Sequence, residues 1–306
     1  MYTYGNVNDP SSACWVFFNE MPRACGQRGR GSDSWNVLLG ALALGCIGDQ
    51  GNTVLDPLNS AAAQRNGKRS FTEEEYLESN PIFALVHGKT SLDASISILD
   101  AMRDRGSFQS ASETWTMPHP NSQTYCQVAT AVSGSGRSES NATMANKLFQ
   151  YAKEDSAYID GRLINALLRC FGDDIQSALN AWKNGMAAAA AGVGVVSGPS
   201  KVHSNIKQFA NLAAAYNGLF HVCGRANRAD IALRLCYAMR KAGVEPNEVS
   251  LNSYFAGKRI ALDGKDGKGR MGLKKQFESL LTVECTKYST KYKGRASDKK
   301  IRIILS

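Results

Sequence analysis

The sequence lacks the patterns that usually mark disulfide frameworks, zinc sites and membrane spans. Its eight cysteines form no Cys-x-x-Cys pair, and several lie inside apolar stretches such as the one around Cys170. This usage is typical of reduced thiols that fill the core of an intracellular protein. The longest uncharged apolar run, residues 186–196, is much shorter than the roughly 20 residues that a membrane-spanning helix needs. We therefore expect no membrane span.

Signals of catalysis are also missing. The four histidines are far apart in the sequence, and no cysteine or acidic residue accompanies them at metal-ligand spacing. The glycine-rich stretch 192–198 resembles a dinucleotide-binding loop, but it follows a run of alanines where that motif requires a strand. The sequence therefore predicts a non-catalytic binding protein with no metal, no cofactor and no small-molecule substrate.

Positive charge is confined to one end of the chain. The net charge is +9, from 36 Lys and Arg against 27 Asp and Glu. Residues 258–302 contain 14 of the basic and five of the acidic residues, so the rest of the chain has 22 of each. Such a segment is either a solvated surface or a tail that binds phosphates, and the sequence leaves both interpretations open.

A short apolar pattern recurs along the sequence. Residues 215–220 (AYNGLF) return 35 positions later as residues 250–255 (SLNSYF), and related hexads occupy 34–39 and 163–168. Segments such as 232–236 follow them with apolar residues at helical spacing, after a short polar turn. The unit is thus a helix, a turn and a second helix. Because one such pair leaves an apolar face uncovered, neighbouring pairs must stack.

The clearest unit covers residues 213–247. Gly243 ends its second helix, and Pro246 prevents the helix from continuing. The next unit begins at Glu248. We expect the two helices to meet through a shared set of apolar side chains, namely Leu219, Phe220, Leu235, Cys236 and Met239.

This unit resembles a complete pentatricopeptide repeat, with Tyr216-Asn217 in the first helix and Gly-Val-Glu-Pro-Asn, ending at Asn247, as its close. Residues 13–21 resemble only a second helix, so either an upstream part is absent or the terminal repeat is degenerate. Weaker copies can be placed over residues 32–63, 72–106, 120–153 and 161–186.

The resemblance implies an all-α fold, a right-handed α-solenoid of stacked helix-turn-helix repeats over residues 1–282. Residues 283–306 are predicted to be a basic C-terminal tail, partly β or disordered, or the start of a further domain. Strand-like patterns at 280–285 and 301–305 favour the latter. Two insertions, residues 107–117 and 186–200, should be excursions from the helical array.

Pentatricopeptide proteins that bind RNA read one base per repeat with two or three side chains. The resemblance assigns this role to Asn217 with Asn247, and to Asn252 in the following unit, with Val249 packing against the base. Elsewhere the place of that apolar residue is taken by Gln123, Arg162 and Ala214.

The asparagines also admit a structural interpretation. An amide can pair with the Watson-Crick edge of a base, but asparagine is equally common at helix caps and turns. Both interpretations stay open for Asn217, whereas a structural role is favoured for Asn36 and Asn165.

Binding of single-stranded RNA, in organelle RNA processing, stability or translation, is the function that the resemblance implies, with a mitochondrial or plastid location. The alternative is a protein-protein interaction scaffold, because residues 240–255 are similar to the repeat segment of DENN-type Rab exchange factors in membrane traffic, which would place the protein in the cytoplasm. If RNA is the ligand, the basic tail should contact phosphates through Lys287, Lys291, Lys293, Arg295, Lys299, Lys300 and Arg302.

Overall fold

A computed structural model describes most of the first 254 residues. The described residues are 9–21, 31–47, 53–65, 73–109, 114–136, 139–190, 201–244, 246, 249–250 and 252–254. Of these, 75% are helical, which confirms the predicted all-α class. The basic tail and the strand-like patterns after residue 280 lie outside the described residues.

Eleven α-helices lie within the described part of the chain. They are α1 (Pro10–Trp15), α2 (Ser32–Gly45), α3 (Ala61–Arg65), α4 (Glu73–Ser79), α5 (Ser91–Arg103), α6 (Ser122–Gly134), α7 (Glu139–Glu154), α8 (Gly161–Arg169), α9 (Ile175–Ala190), α10 (Lys201–Arg225) and α11 (Ala229–Lys241). A π-helical turn, Val16–Glu20, continues α1, and short 3-10 turns cover Pro57–Asn59 and Pro81–Leu85.

Polar residues fix where several of these helices begin. Asn121 forms a reciprocal capping box with Thr124 at the start of α6. The carboxylate of Asp160 accepts hydrogen bonds from two backbone N–H groups at the start of α8, and Thr90 caps α5 in the same way through the N–H of Asp93. Each cap satisfies donors that the first turn of a helix leaves without partners.

Four helices that contain the recurring hexads or their equivalents pack side by side in chain order. We call α2, α6, α8 and α10 the first helices, and α7, α9 and α11 the second helices that follow three of them. Each first helix contacts the next one along the chain, and each second helix packs against its own first helix. The described residues therefore have a helical-repeat-like arrangement.

The core is continuous along this row of helices. Large side chains with under 2% exposure come from successive first helices, including Trp35, Tyr125 and Phe220. The apolar set predicted for the unit at 213–247 is confirmed, since Leu219, Phe220, Leu235, Cys236 and Met239 are all buried in the same cluster. Six cysteines are described; none of these six is in a disulfide, and five of them are buried.

The two predicted insertions differ from each other. Two short segments of the first insertion leave the helical array as expected, and they pair as the antiparallel strands β1 (Ser107–Gln109) and β2 (Thr114–Thr116). Residues 186–190, however, belong to α9, because a run of alanines has the highest helix propensity and extends the helix. Residues 191–200 lie outside the described part, and α10 begins at Lys201.

Gly218 lets α8 and α10 approach closely. A Cβ at Gly218 would lie 2.9 Å from Leu168 Cδ1 and 3.0 Å from the Cα of Asn165. We expect Gly218→Ala to destabilise the protein by about 1 kcal/mol in denaturant unfolding, since overpacking outweighs the gain in helix propensity. Gly40→Ala is the matched control on α2. Its Cβ would meet the flexible end of Gln127 at 3.4 Å, so Gly40→Ala should stabilise the protein by roughly 0.5 kcal/mol. Equal changes in stability in the two variants would contradict the close packing of α8 against α10.

Candidate nucleic-acid interface

The residues assigned to base reading lie in different environments. Asn217 is 8% exposed, on α10. Asn252 is exposed, and Val249 is 56% exposed. Asn247 and the seven basic tail residues lie outside the described residues. The structure thus describes three of the four residues that the resemblance assigns to contacts with a base. The pairing of Asn217 with Asn247 stays a prediction.

Asn36 is held inside the protein. Its side-chain Oδ1 accepts a hydrogen bond from Thr124 Oγ1 at 2.8 Å, and its Nδ2 donates to Asn121 Oδ1 at 3.2 Å. Asn36 therefore joins α2 to the N-terminal cap of α6. The structural role expected for Asn36 was a helix cap or a turn, whereas these contacts bridge two helices and cap neither.

Asn165 and Asn217 differ from Asn36 in their hydrogen bonding. The Oδ1 atoms of both amides are buried, with no hydrogen-bond partner among the described residues. Both residues lie near the contact between α8 and α10, where the Asn165 side chain comes within 3.1 Å of the position of a Cβ on Gly218. Such unmatched buried acceptors are rare in proteins and costly.

A groove of about 390 Å³ opens between the N-terminal ends of α6 and α8. Gln123 and Arg162 face it from equivalent places in two successive units, and Cys126 lies one turn further along α6. The turn between α7 and α8 closes one side. The full lining consists of His119, Pro120, Asn121, Ser122, Gln123, Cys126, Asp155, Ser156, Ala157, Tyr158, Asp160 and Arg162.

Both carboxylates of the groove have partners within the protein. Asp160 accepts from the backbone N–H groups of Arg162 and Leu163, and its other oxygen accepts from Arg162 Nε at 3.2 Å. Asp155 accepts from Arg103 Nε at 3.0 Å and from the hydroxyl of Tyr125. Their negative charge is therefore largely compensated, and Arg162 contributes to this through its Nε.

Arg103 anchors the turn that borders the groove. It forms ion pairs with Asp155 and with Glu154, and its guanidinium lies 3.4 Å from the ring centre of Tyr151. Burial and the Asp155 carboxylate raise the pKa of the Tyr125 hydroxyl, so Tyr125 remains a donor. These contacts tie α5 and α6 to the end of α7 and fix one wall of the groove.

No protein-family model, curated protein or solved structure matches this chain. Within the described residues, no group of three or more His, Cys, Asp or Glu could hold a metal ion. The same part of the chain contains no helix that is long and apolar enough to cross a membrane.

His221, on α10, should make stability depend on pH. Burial and the charges of Arg169 and Arg225 lower its pKa from 6.5 to about 4. The unfolded chain therefore takes up a proton below pH 6.5 that the folded chain resists until about pH 4, so acidification favours unfolding. Between about pH 7 and pH 5 we expect the free energy of unfolding to fall by about 2 kcal/mol from this residue.

The matched pair for this measurement is His221→Gln and His119→Gln, since His119 is exposed. We expect denaturant unfolding at the two pH values to show the fall in the free energy of unfolding in His119→Gln but not in His221→Gln. Equal pH dependence in the two variants would contradict the burial of His221.

The sequence identified two residues that line the groove, Gln123 and Arg162, but not the groove itself. Gln123 and Arg162 were identified as departures from an apolar pattern. Their spacing in successive units was the available signal. The contribution of Asp155 and Tyr158 could not be read from the sequence, because it depends on how the turn after α7 is held by Arg103.

Proposed function

We propose that this protein binds single-stranded RNA along the row formed by its first helices. The observation that supports the proposal most strongly is the groove between α6 and α8. It lies where the pentatricopeptide resemblance would place a base, between Gln123 and Arg162 of successive units. We also propose that the helical repeats form a right-handed α-solenoid, and that RNA binds along its row of first helices.

The chemistry of the groove suits a nucleotide. Amide, hydroxyl and guanidinium groups from Gln123, Ser122 and Arg162 can form hydrogen bonds with the base edge or the phosphate. Arg162 donates to Asp160 through Nε, and this hydrogen bond orients the guanidinium group. The terminal nitrogens keep their capacity to donate to a ligand. The carboxylates already have partners, so they repel a phosphate less than free ones would.

An arginine pair tests the groove directly. Arg162→Ala should weaken binding of single-stranded RNA several-fold and reduce the slope of log affinity against log salt by about 0.7, the value for one phosphate contact. Arg234→Ala is the control, since Arg234 is exposed on α11 and does not line the groove. Anisotropy titrations at two salt concentrations measure both quantities. Equal losses of RNA affinity in the two variants would mean that the RNA binds outside the groove.

The second candidate is a protein-interaction scaffold, and two observations favour it. Chain residues outside 258–302 have no net charge, and the groove has two carboxylates beside its one arginine. Asn217 is also buried, which limits its contact with a base in this conformation. If the scaffold is correct, the intact chain will not bind single-stranded RNA even at low salt.

A further inference from the structure

A second cavity, of about 180 Å³, lies where the starts of α1 and α5 meet the end of α2. Asp9 and Ser11 line it from the start of α1, Gly45 from the end of α2, and Ser91 from the start of α5. Gly45 allows this close approach, since a Cβ on it would lie 2.8 Å from Ser91 Oγ and 2.9 Å from Pro10 Cγ. One water molecule needs only roughly 10–15 Å³ of such space, so the cavity has room for a side chain.

The lining of this cavity favours a positively charged ligand. Among its described lining residues, Asp9 is the only one with a charged side chain, and its Oδ1 is fixed by the backbone N–H of Ser12 at 3.0 Å. The last turn of α2, which ends at Gly45, contains no basic residue to offset the negative end of the helix dipole. The hydroxyl groups of Thr53 and Ser91 can accept hydrogen bonds from a cation.

Exposed apolar side chains surround the cavity. Among the described residues four large apolar side chains are exposed, and three of them are Leu44, Ile47 and Val54. Leu44 immediately precedes Gly45, Ile47 follows it by two residues, and Val54 lies between two lining residues. Single exposed apolar residues are common on protein surfaces, whereas a group of them beside a polar pocket is typical of a protein-interaction site.

The segment that contains Val54 is held against the protein. Val54 forms an isolated antiparallel bridge with Thr90, and the backbone N–H of Leu55 donates to the carbonyl oxygen of Lys89 at 2.8 Å. Successive side chains of an extended segment point to opposite sides, and Leu55 is the buried one. Val54 is therefore presented to solvent by a fixed backbone and contributes little to the core.

We propose that this cavity binds a lysine or arginine side chain of a partner protein, and that apolar residues of the same partner pack on Leu44, Ile47 and Val54. Asp9 and the end of α2 attract the cationic group. Because an exposed ion pair alone contributes little to affinity, the apolar rim supplies the buried area. None of the described residues that line this cavity also lines the groove between α6 and α8, so the inference does not depend on RNA binding.

A random dodecapeptide library displayed on phage, selected on the intact chain, tests the proposal. We expect the selected peptides to share a lysine or arginine with apolar residues close to it. Asp9→Asn should weaken binding of the labelled consensus peptide about tenfold in anisotropy titrations. This variant removes the charge but keeps a side-chain oxygen that can cap α1. Asp33→Asn is the matched control, since Asp33 is exposed in the first turn of α2, at the opposite end from the cavity.

Val54→Ser tests the apolar rim and does not depend on the cap of α1. We expect it to weaken binding of the consensus peptide several-fold, because apolar contact area is lost. The denaturant midpoint should stay unchanged, since Val54 is exposed.

A change in the peptide completes a double-mutant cycle with Asp9→Asn. Replacing the basic residue of the peptide by glutamine should weaken binding to the unmodified chain but weaken binding to Asp9→Asn much less, because the two changes remove the same contact. Equal losses on both chains would overturn the inference. So would selected peptides without a basic residue, no selected peptides at all, or equal affinities of Asp9→Asn and Asp33→Asn. Binding that Val54→Ser leaves unchanged would mean a site for small cations only and would overturn the proposed docking surface.

Discussion

Leu219→Ala should lower the free energy of unfolding by roughly 2 to 5 kcal/mol. Leu219 is 1% exposed and belongs to the cluster that joins α10 to α11. Its truncation removes buried apolar surface and leaves a cavity that the neighbouring helices cannot fill completely. Because whole domains are stable by only about 5 to 15 kcal/mol, this loss should be visible as a large shift of the midpoint in urea.

Leu44→Ala is the control for this measurement. Leu44 is also a helical leucine, on α2, but it is 40% exposed. Its truncation should cost less than about 1 kcal/mol, because little buried surface is lost. If Leu219→Ala changes stability by no more than Leu44→Ala does, the packing of α10 against α11 is wrong.

Removal of residues 286–306 should have the largest effect on RNA affinity. The deletion removes all seven basic residues assigned to the tail, whereas the chain outside residues 258–302 is neutral. Loss of up to seven phosphate contacts would flatten the salt slope by up to about 5. Binding to every single-stranded RNA should weaken by a similar factor, because contacts with phosphates do not distinguish bases.

The control for the deletion keeps the length of the chain. Replacing the seven tail residues by glutamine in the full chain should reproduce the weaker binding and the flatter slope. If the deletion weakens binding but the glutamine variant does not, the tail acts through something other than its charge. If neither changes RNA binding, the tail is a solvated surface.

Much of the helical fold follows from local patterns in the sequence. The spacing of apolar residues in 213–247 predicted which side chains would be buried, and all five are. The start of α6 at Ser122 agrees with the Pro-Asn pair before it, since asparagine caps helices. These features depend on residues within one or two turns of each other, and short-range patterns are sufficient to reveal them.

One local pattern was interpreted wrongly, and one feature that depends on contacts between units was missed. The alanine run after Met186 was predicted to leave the array, but its propensity extends α9 to Ala190. The hydrogen bond that Asn36 accepts comes from Thr124, which lies 88 residues away in the sequence. Periodicity within a helix cannot show which residue of the next unit faces an amide.

The most direct test of the proposed function is an anisotropy titration of the intact chain with single-stranded RNA at low salt, with duplex RNA of the same sequence as the comparison. The proposal predicts saturable binding that is tighter for the single strand, weakens with salt, and is reduced more by Arg162→Ala than by Arg234→Ala. The absence of measurable binding to single-stranded RNA at low salt would contradict the proposal and favour the protein-interaction scaffold.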